Sequence, residues 1–136
     1  MFAKKQTFMH TLPLDTKGFK EKVFDYVNKE DWKYQGSLPA IIDFYADWCG
    51  PCKILTPVLE ELAFEYKGRL LIYKVNTDVE QELSAVFGIQ SIPTLLFIDA
   101  SGEPILQPGV LPKHTLKKII EEKLLVASSG ETTNQP

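Results

Sequence analysis

The hydrophobic pattern of the chain predicts an α/β domain, a central mixed β-sheet flanked by helices on both faces. Short runs of β-branched and aromatic residues alternate with stretches whose apolar residues recur at helical spacing, which is how a sheet built through helical crossovers reads. The segment Ala40-Ile41-Ile42-Asp43-Phe44-Tyr45-Ala46 is apolar at almost every position, as a strand covered on both faces must be. Two further strand patterns, at 94–99 and 104–107, are separated by little more than Ala100-Ser101-Gly102. A gap that short cannot hold a crossover, so the parallel pairs give way to an antiparallel hairpin.

Taken in order, residues 6–14 read as an edge strand. An amphipathic helix follows, capped at Thr16, with Phe19, Val23, Phe24 and Val27 on one face. From Asn28 to Leu38 the period is lost, and the segment is either a connection or a frayed extension of that helix. The strand at 40–46 feeds a helix over 50–66 whose apolar side carries Ile54, Leu55, Val58, Leu59, Leu62, Ala63 and Tyr66. Pro57 lies inside it; with no N–H for the carbonyl of Lys53, it should kink the helix rather than end it. A strand at 69–75 precedes a short helix with Leu83, Val86 and Phe87, closed by Gly88 as a left-handed C-cap. After the hairpin, a last helix starts near Pro112 and buries Leu116, Ile119, Ile120 and Leu124. Residues 1–126 are thus expected to form one domain, and the polar, aperiodic 127–136 a disordered tail.

At 136 residues the chain has room for one core and not two. A net charge of −3 with a pI near 5.4 supplies no basic field, which argues against nucleic acid or an anionic membrane as a partner. Apolar runs such as Leu70 to Tyr73 and Leu95 to Ile98 stop at four residues, far short of a membrane span. Lys4 and Lys5 are not followed by an apolar h-region, so the expected compartment is the cytoplasm, or the periplasm if the chain is a processed form. Nothing in the pattern asks for more than a monomer.

The two cysteines stand as C-x-x-C in Trp48-Cys49-Gly50-Pro51-Cys52-Lys53, where the apolar strand feeds a helix. A thiolate is favoured there by the unpaired N–H groups of the first helical turn and the positive end of the helix dipole. The same spacing serves half of a zinc site, but a tetrahedral site needs four ligands, and His10 and His114 lack ligand spacing. No metal or organic cofactor is therefore expected. Asp43 is a carboxylate inside an apolar strand, six residues before Cys49, where burial would raise its pKa. Its plainer reading is a strand-end aspartate in water.

With this motif, the chain resembles the thioredoxin family from about Thr16 to Leu125. The match includes Asp43-Phe44 before the motif, Lys74 in the next strand, Asn76-Thr77-Asp78, the run Gly88-Ile89-Gln90-Ser91-Ile92-Pro93-Thr94, and Gly109. The resemblance implies a thioredoxin fold and the reduction of protein disulfides by dithiol exchange. It implies that Cys49 is the attacking thiolate, and that Cys52 then attacks Cys49, releasing the substrate and leaving a redox-active disulfide. Asp43 is implied as the base that takes the proton of Cys52, with Lys74 as its charge partner; by itself Lys74 reads equally as a solvated lysine. Pro93, otherwise a plain strand-start proline, corresponds to the family's cis-proline beside the cysteines. The implied substrate-binding rim is Trp48, Gly50, Pro51, Ile92, Pro93 and Gly109.

Implied partners are disulfide-containing proteins, with electrons from thioredoxin reductase or, outside the cytoplasm, a membrane reductase. One alternative is a disulfide oxidase or isomerase on the same fold, against which Gly50-Pro51 speaks, because a histidine in the motif would stabilise the thiolate. Another is a non-catalytic module that binds a partner through Trp48 and Pro93. Three features depart from the family's usual pattern: Tyr45 stands where a tryptophan is common, Pro108 precedes Gly109, and 28–38 is longer than usual. They bear on which partners dock rather than on the chemistry.

Overall fold

A computed structural model of the chain describes residues 9–126. Residues 6–8 of the expected edge strand and the expected tail at 127–136 lie outside the described residues. The elements run β1 (Leu12–Pro13), α1 (Thr16–Lys22), β2 (Ala40–Tyr45), α2 (Gly50–Glu65), β3 (Leu71–Asn76), α3 (Gln81–Val86), β4 (Thr94–Ile98), β5 (Pro104–Pro108) and α4 (Lys113–Ile119), the last continued by a π-helical turn over Ile120–Leu124. They form a five-stranded sheet in the order β1-β3-β2-β4-β5. β1 and β2 lie parallel to β3, and β4 is antiparallel to both β2 and β5. This is the mixed sheet with a terminal hairpin that the sequence predicts.

Alternation along β2 divides the core in two. Ile41 faces Leu55, Leu59 and Leu62 of α2, joined by Leu116, Ile120 and Leu124 of the last helix. Ile42 and Phe44 face the other way, toward Phe19 of α1, Val23 and Leu83 of α3. Helices therefore cover both faces, and β2, with its first five residues fully buried, reads as apolar for that reason. Asp43 falls on the α2 side of this alternation.

Local chemistry sets the ends of the helices. The α1 N-cap is Asp15, not Thr16: its carboxylate accepts from the Gly18 N–H at 2.7 Å, while the Thr16 N–H and hydroxyl both donate to Glu80 at 2.9 Å. α1 also ends earlier than expected, with Val23 as C-cap, so Val27 lies outside the helix and 63% exposed. α2 runs through Pro57 without stopping. Ile54, expected on its apolar side, is exposed, because the buried stripe follows Cys52, Leu55, Leu59 and Leu62 and Ile54 sits a third of a turn off it. Gly88, at φ +60°, closes α3 as expected: its N–H donates to Ala85 and that of Ile89 to Ser84, the paired bonds of a Schellman motif. The 28–38 segment is a connection, pinned by Trp32 Nε1 donating to the Gly102 carbonyl and by the Tyr34 hydroxyl donating to the Leu38 carbonyl.

Candidate active site

Cys49 and Cys52 are joined in a disulfide with their Cα atoms 5.3 Å apart. Cys49 is the N-cap of α2, in extended backbone, and its Sγ accepts the Cys52 N–H at 3.2 Å. The sulfur thus occupies the place of a capping oxygen, where one of the orphan N–H groups of the first turn meets it. Pro51 fits the opening turn because its missing N–H would have had no helical partner, and Gly50 and Pro51 are both exposed. Cys49 and Cys52 are nearly covered, packed with Ala46 against Tyr45 and Ile92.

The rim is assembled from three loops. Trp48 is 69% exposed and held by its indole N–H, which donates to Asp78 Oδ2 at 2.8 Å after β3. Before β4, the Ile92–Pro93 peptide is cis, and the Ile92 carbonyl lies 3.7 Å from Cys49 Sγ. A Cys49 thiol in that position would have this carbonyl as its acceptor. After β5, Gly109 adopts φ +97°, a left-handed value that favours glycine, and its N–H donates to the Pro93 carbonyl at 2.8 Å. Trp48, Gly50 and Pro51 thus adjoin the cysteines along the chain, Ile92 packs on them, and Gly109 is tied to the Pro93 that follows it.

On the α2 side of the sheet, Asp43 is fully buried and Lys74 nearly so. They sit opposite each other in the β2–β3 register, with Lys74 Nζ donating to Asp43 Oδ2 at 2.8 Å. Burial pushes the Asp43 carboxyl above its ordinary pKa, and the Lys74 charge only partly offsets this. Among the described residues, Asp43 Oδ1 has no hydrogen-bond partner. Lys74 Nζ also donates to Thr56 Oγ1 at 3.2 Å and lies 4.6 Å from the centre of the Tyr45 ring. The Thr56 hydroxyl donates in turn to the Cys52 carbonyl at 3.0 Å. A continuous polar path thus runs from the backbone of the second cysteine to the buried ion pair.

Sequence reasoning passed over Thr56 and the side chain of Asp78 as site residues. Thr56 had a local signal, since a threonine four residues after Cys52 is placed to bond back to its carbonyl. The partner of the Trp48 indole depends on how the loop after β3 meets the turn before α2, which no pattern along the chain encodes. Among the described residues, no group of His, Cys, Asp and Glu is placed to hold a metal ion, and no helix is long and apolar enough to cross a membrane.

Comparison with known proteins agrees with this geometry. Residues 14–122 match the thioredoxin family model. The chain is 46% identical over 111 residues to a thioredoxin of Borreliella burgdorferi, covering 82% of this chain and 95% of that protein. It is 41% identical over 102 residues to a thioredoxin of Haemophilus influenzae, covering 73% and 95%. Against the chloroplastic M-type thioredoxin of Spinacia oleracea the identity is 42% over 101 residues, covering 72% of this chain and 56% of that one. With a helix-capping Cys49–Cys52 disulfide beside a cis-proline, the chain belongs to the thioredoxin family of thiol-disulfide oxidoreductases.

Proposed function

We propose that the protein reduces disulfides in partner proteins, with Cys49 as nucleophile, Cys52 as resolving thiol and Asp43 as proton acceptor. The observation that carries this reading is the Cys49 Sγ at the α2 N-cap, receiving the Cys52 N–H at 3.2 Å, an arrangement that favours negative sulfur. The Cys49 thiolate attacks one sulfur of a substrate disulfide; one S–S bond forms, one breaks, and a substrate thiolate leaves. The Cys52 thiol then gives its proton to Asp43, and its sulfur attacks Cys49 Sγ. That closes the Cys49–Cys52 disulfide and releases the second substrate thiolate. The raised pKa of Asp43, and an Oδ1 with no hydrogen-bond partner among the described residues, suit it to accept that proton.

Trp48, Gly50, Pro51, Ile92, Pro93 and Gly109 form the surface on which the partner's extended segment lies, and Lys74 sets the charge balance at Asp43. The protein acts as a single-domain monomer over residues 1–126 without a bound cofactor. It is recharged with two electrons by thioredoxin reductase, or by a membrane reductase if it works in the periplasm rather than the cytoplasm. Trapping tests the order of attack. Cys52→Ser, offered an oxidised protein substrate, should accumulate a stable mixed disulfide on Cys49, whereas Cys49→Ser should accumulate none. Equal trapping by the two variants would reverse or abolish the assignment.

A further inference from the structure

We infer that Thr56 is a positioning residue for the reaction: its hydroxyl fixes the Lys74 ammonium against Asp43 and ties that pair to the helical turn bearing Cys52. Thr56 lies on the α2 face turned to the sheet, half-buried and one residue before Pro57. Its hydroxyl uses both of its capacities, donating to the Cys52 carbonyl at 3.0 Å and accepting from Lys74 Nζ at 3.2 Å. An ammonium that is 1% exposed at its side chain needs such acceptors, since each one lost leaves a buried N–H without compensation. The hydroxyl therefore stabilises the charged form of Lys74 and holds it where it meets Asp43 Oδ2 at 2.8 Å. Because the same hydroxyl is bonded to the Cys52 carbonyl, the resolving cysteine and the ion pair share one hydrogen-bonded frame.

Removing the hydroxyl while keeping the side-chain shape, as in Thr56→Val, takes from Lys74 an acceptor that favours its charge. A less firmly held ammonium does less to keep the Asp43 carboxyl ionised, so the Asp43 pKa rises further. Other ionisable groups face the pair. From β2 there is Tyr45, whose phenol is pushed up by burial and by Asp47; α2 brings Cys52, joined here to Cys49, whose carbonyl is tied to the pair through Thr56; and β4 presents Leu95 in register with Asp43. On the β1 side a cavity of about 380 Å³ reaches Lys74 and Tyr45 and is lined also by Asp15, Lys22 and Glu80. None of these groups is altered by the substitution.

The inference deepens the reading of Asp43 as the proton acceptor, and its test separates the two. The Asp43 carboxyl ¹³C resonance is followed through a pH titration, and in parallel the rate of mixed-disulfide resolution is measured against pH. In Thr56→Val both midpoints should move up by about 0.5–1 pH unit, and Thr56→Ser should restore them. In a Lys74→Met background, where the hydroxyl has no ammonium to hold, adding Thr56→Val should move the Asp43 midpoint no further. An unchanged or lowered Asp43 midpoint in Thr56→Val, or the same shift persisting without Lys74, would overturn the inference. If the carboxyl midpoint moves as expected but Asp43→Asn resolves mixed disulfides at the wild-type rate, the positioning role stands and Asp43 is not the base.

Discussion

At Asp43, burial and pairing act in opposite directions, and burial is the larger effect. The folded carboxyl consequently binds its proton more tightly than it does in the unfolded chain. By linkage, its contribution to stability is fully present below about pH 4, the unfolded value, and is lost as the pH rises through the raised folded value. Asp43→Asn carries no such proton, while its amide oxygen can still accept from Lys74. Urea unfolding of the two oxidised proteins between pH 4 and pH 8 should therefore show the variant gaining on the wild type as the pH rises. The gain should approach about 1.4 kcal/mol for each unit by which the folded pKa is raised. A difference that stays flat with pH would mean that Asp43 titrates in the fold as it does in the unfolded chain.

The elements show a similar competition between local and distant partners. Asp15 and Thr16 both have cap-forming side chains, and the sequence alone favoured Thr16. Glu80, arriving before α3, takes the Thr16 hydroxyl and leaves the cap to Asp15. Asp15→Ala should then lower stability by about 1 kcal/mol, and Asp15→Asn by much less, in denaturant melts. A loss of only a few tenths for Asp15→Ala would remove Asp15 from that role. The succession of elements, the hairpin and most of the helix stripes were legible because apolar period and burial are two aspects of one constraint, as Ile41, Ile42 and Phe44 show. Val27 was misplaced because the Gln35 N–H bonds the Val23 carbonyl, a long-range contact that ends α1 before its apolar pattern does. The π-helical turn at Ile120–Leu124, with the Leu125 N–H reaching the Ile120 carbonyl, was likewise invisible, since a one-residue widening leaves Leu116, Ile120 and Leu124 on the core. At the site, Cys49, Cys52 and Asp43 stood out because their chemistry is conspicuous where they lie. Thr56 did not, because its contribution comes from the packing of α2 over β3, and a threonine one residue before a proline is unremarkable in composition.

The reduction potential belongs to the whole molecule, because it weighs the oxidised fold against the reduced one. Oxidising members of this chemistry owe their high potentials to a stabilised reduced form. In this chain the partners shown for Cys49 Sγ are backbone groups, the Cys52 N–H and the Ile92 carbonyl. The motif supplies Gly50 and Pro51 where a histidine would have stabilised the thiolate, and the surrounding side chains of Ala46, Tyr45 and Ile92 add little charge stabilisation. A net charge of −3 also disfavours a further anion. Together these leave the α2 N-terminus as the main stabilisation of the reduced form, which argues for a potential at the reducing end of the range. Titration against a dithiothreitol buffer, with thiol trapping, should give a potential near the value typical of thioredoxin itself, about −270 mV; that figure is the family's and not one set by these distances. A result of about −120 to −180 mV would reverse the proposed electron flow and make the protein an oxidase or isomerase. It would also require that the field of α2 outweigh the missing histidine, because the helix N-terminus is the remaining feature that favours a thiolate at Cys49.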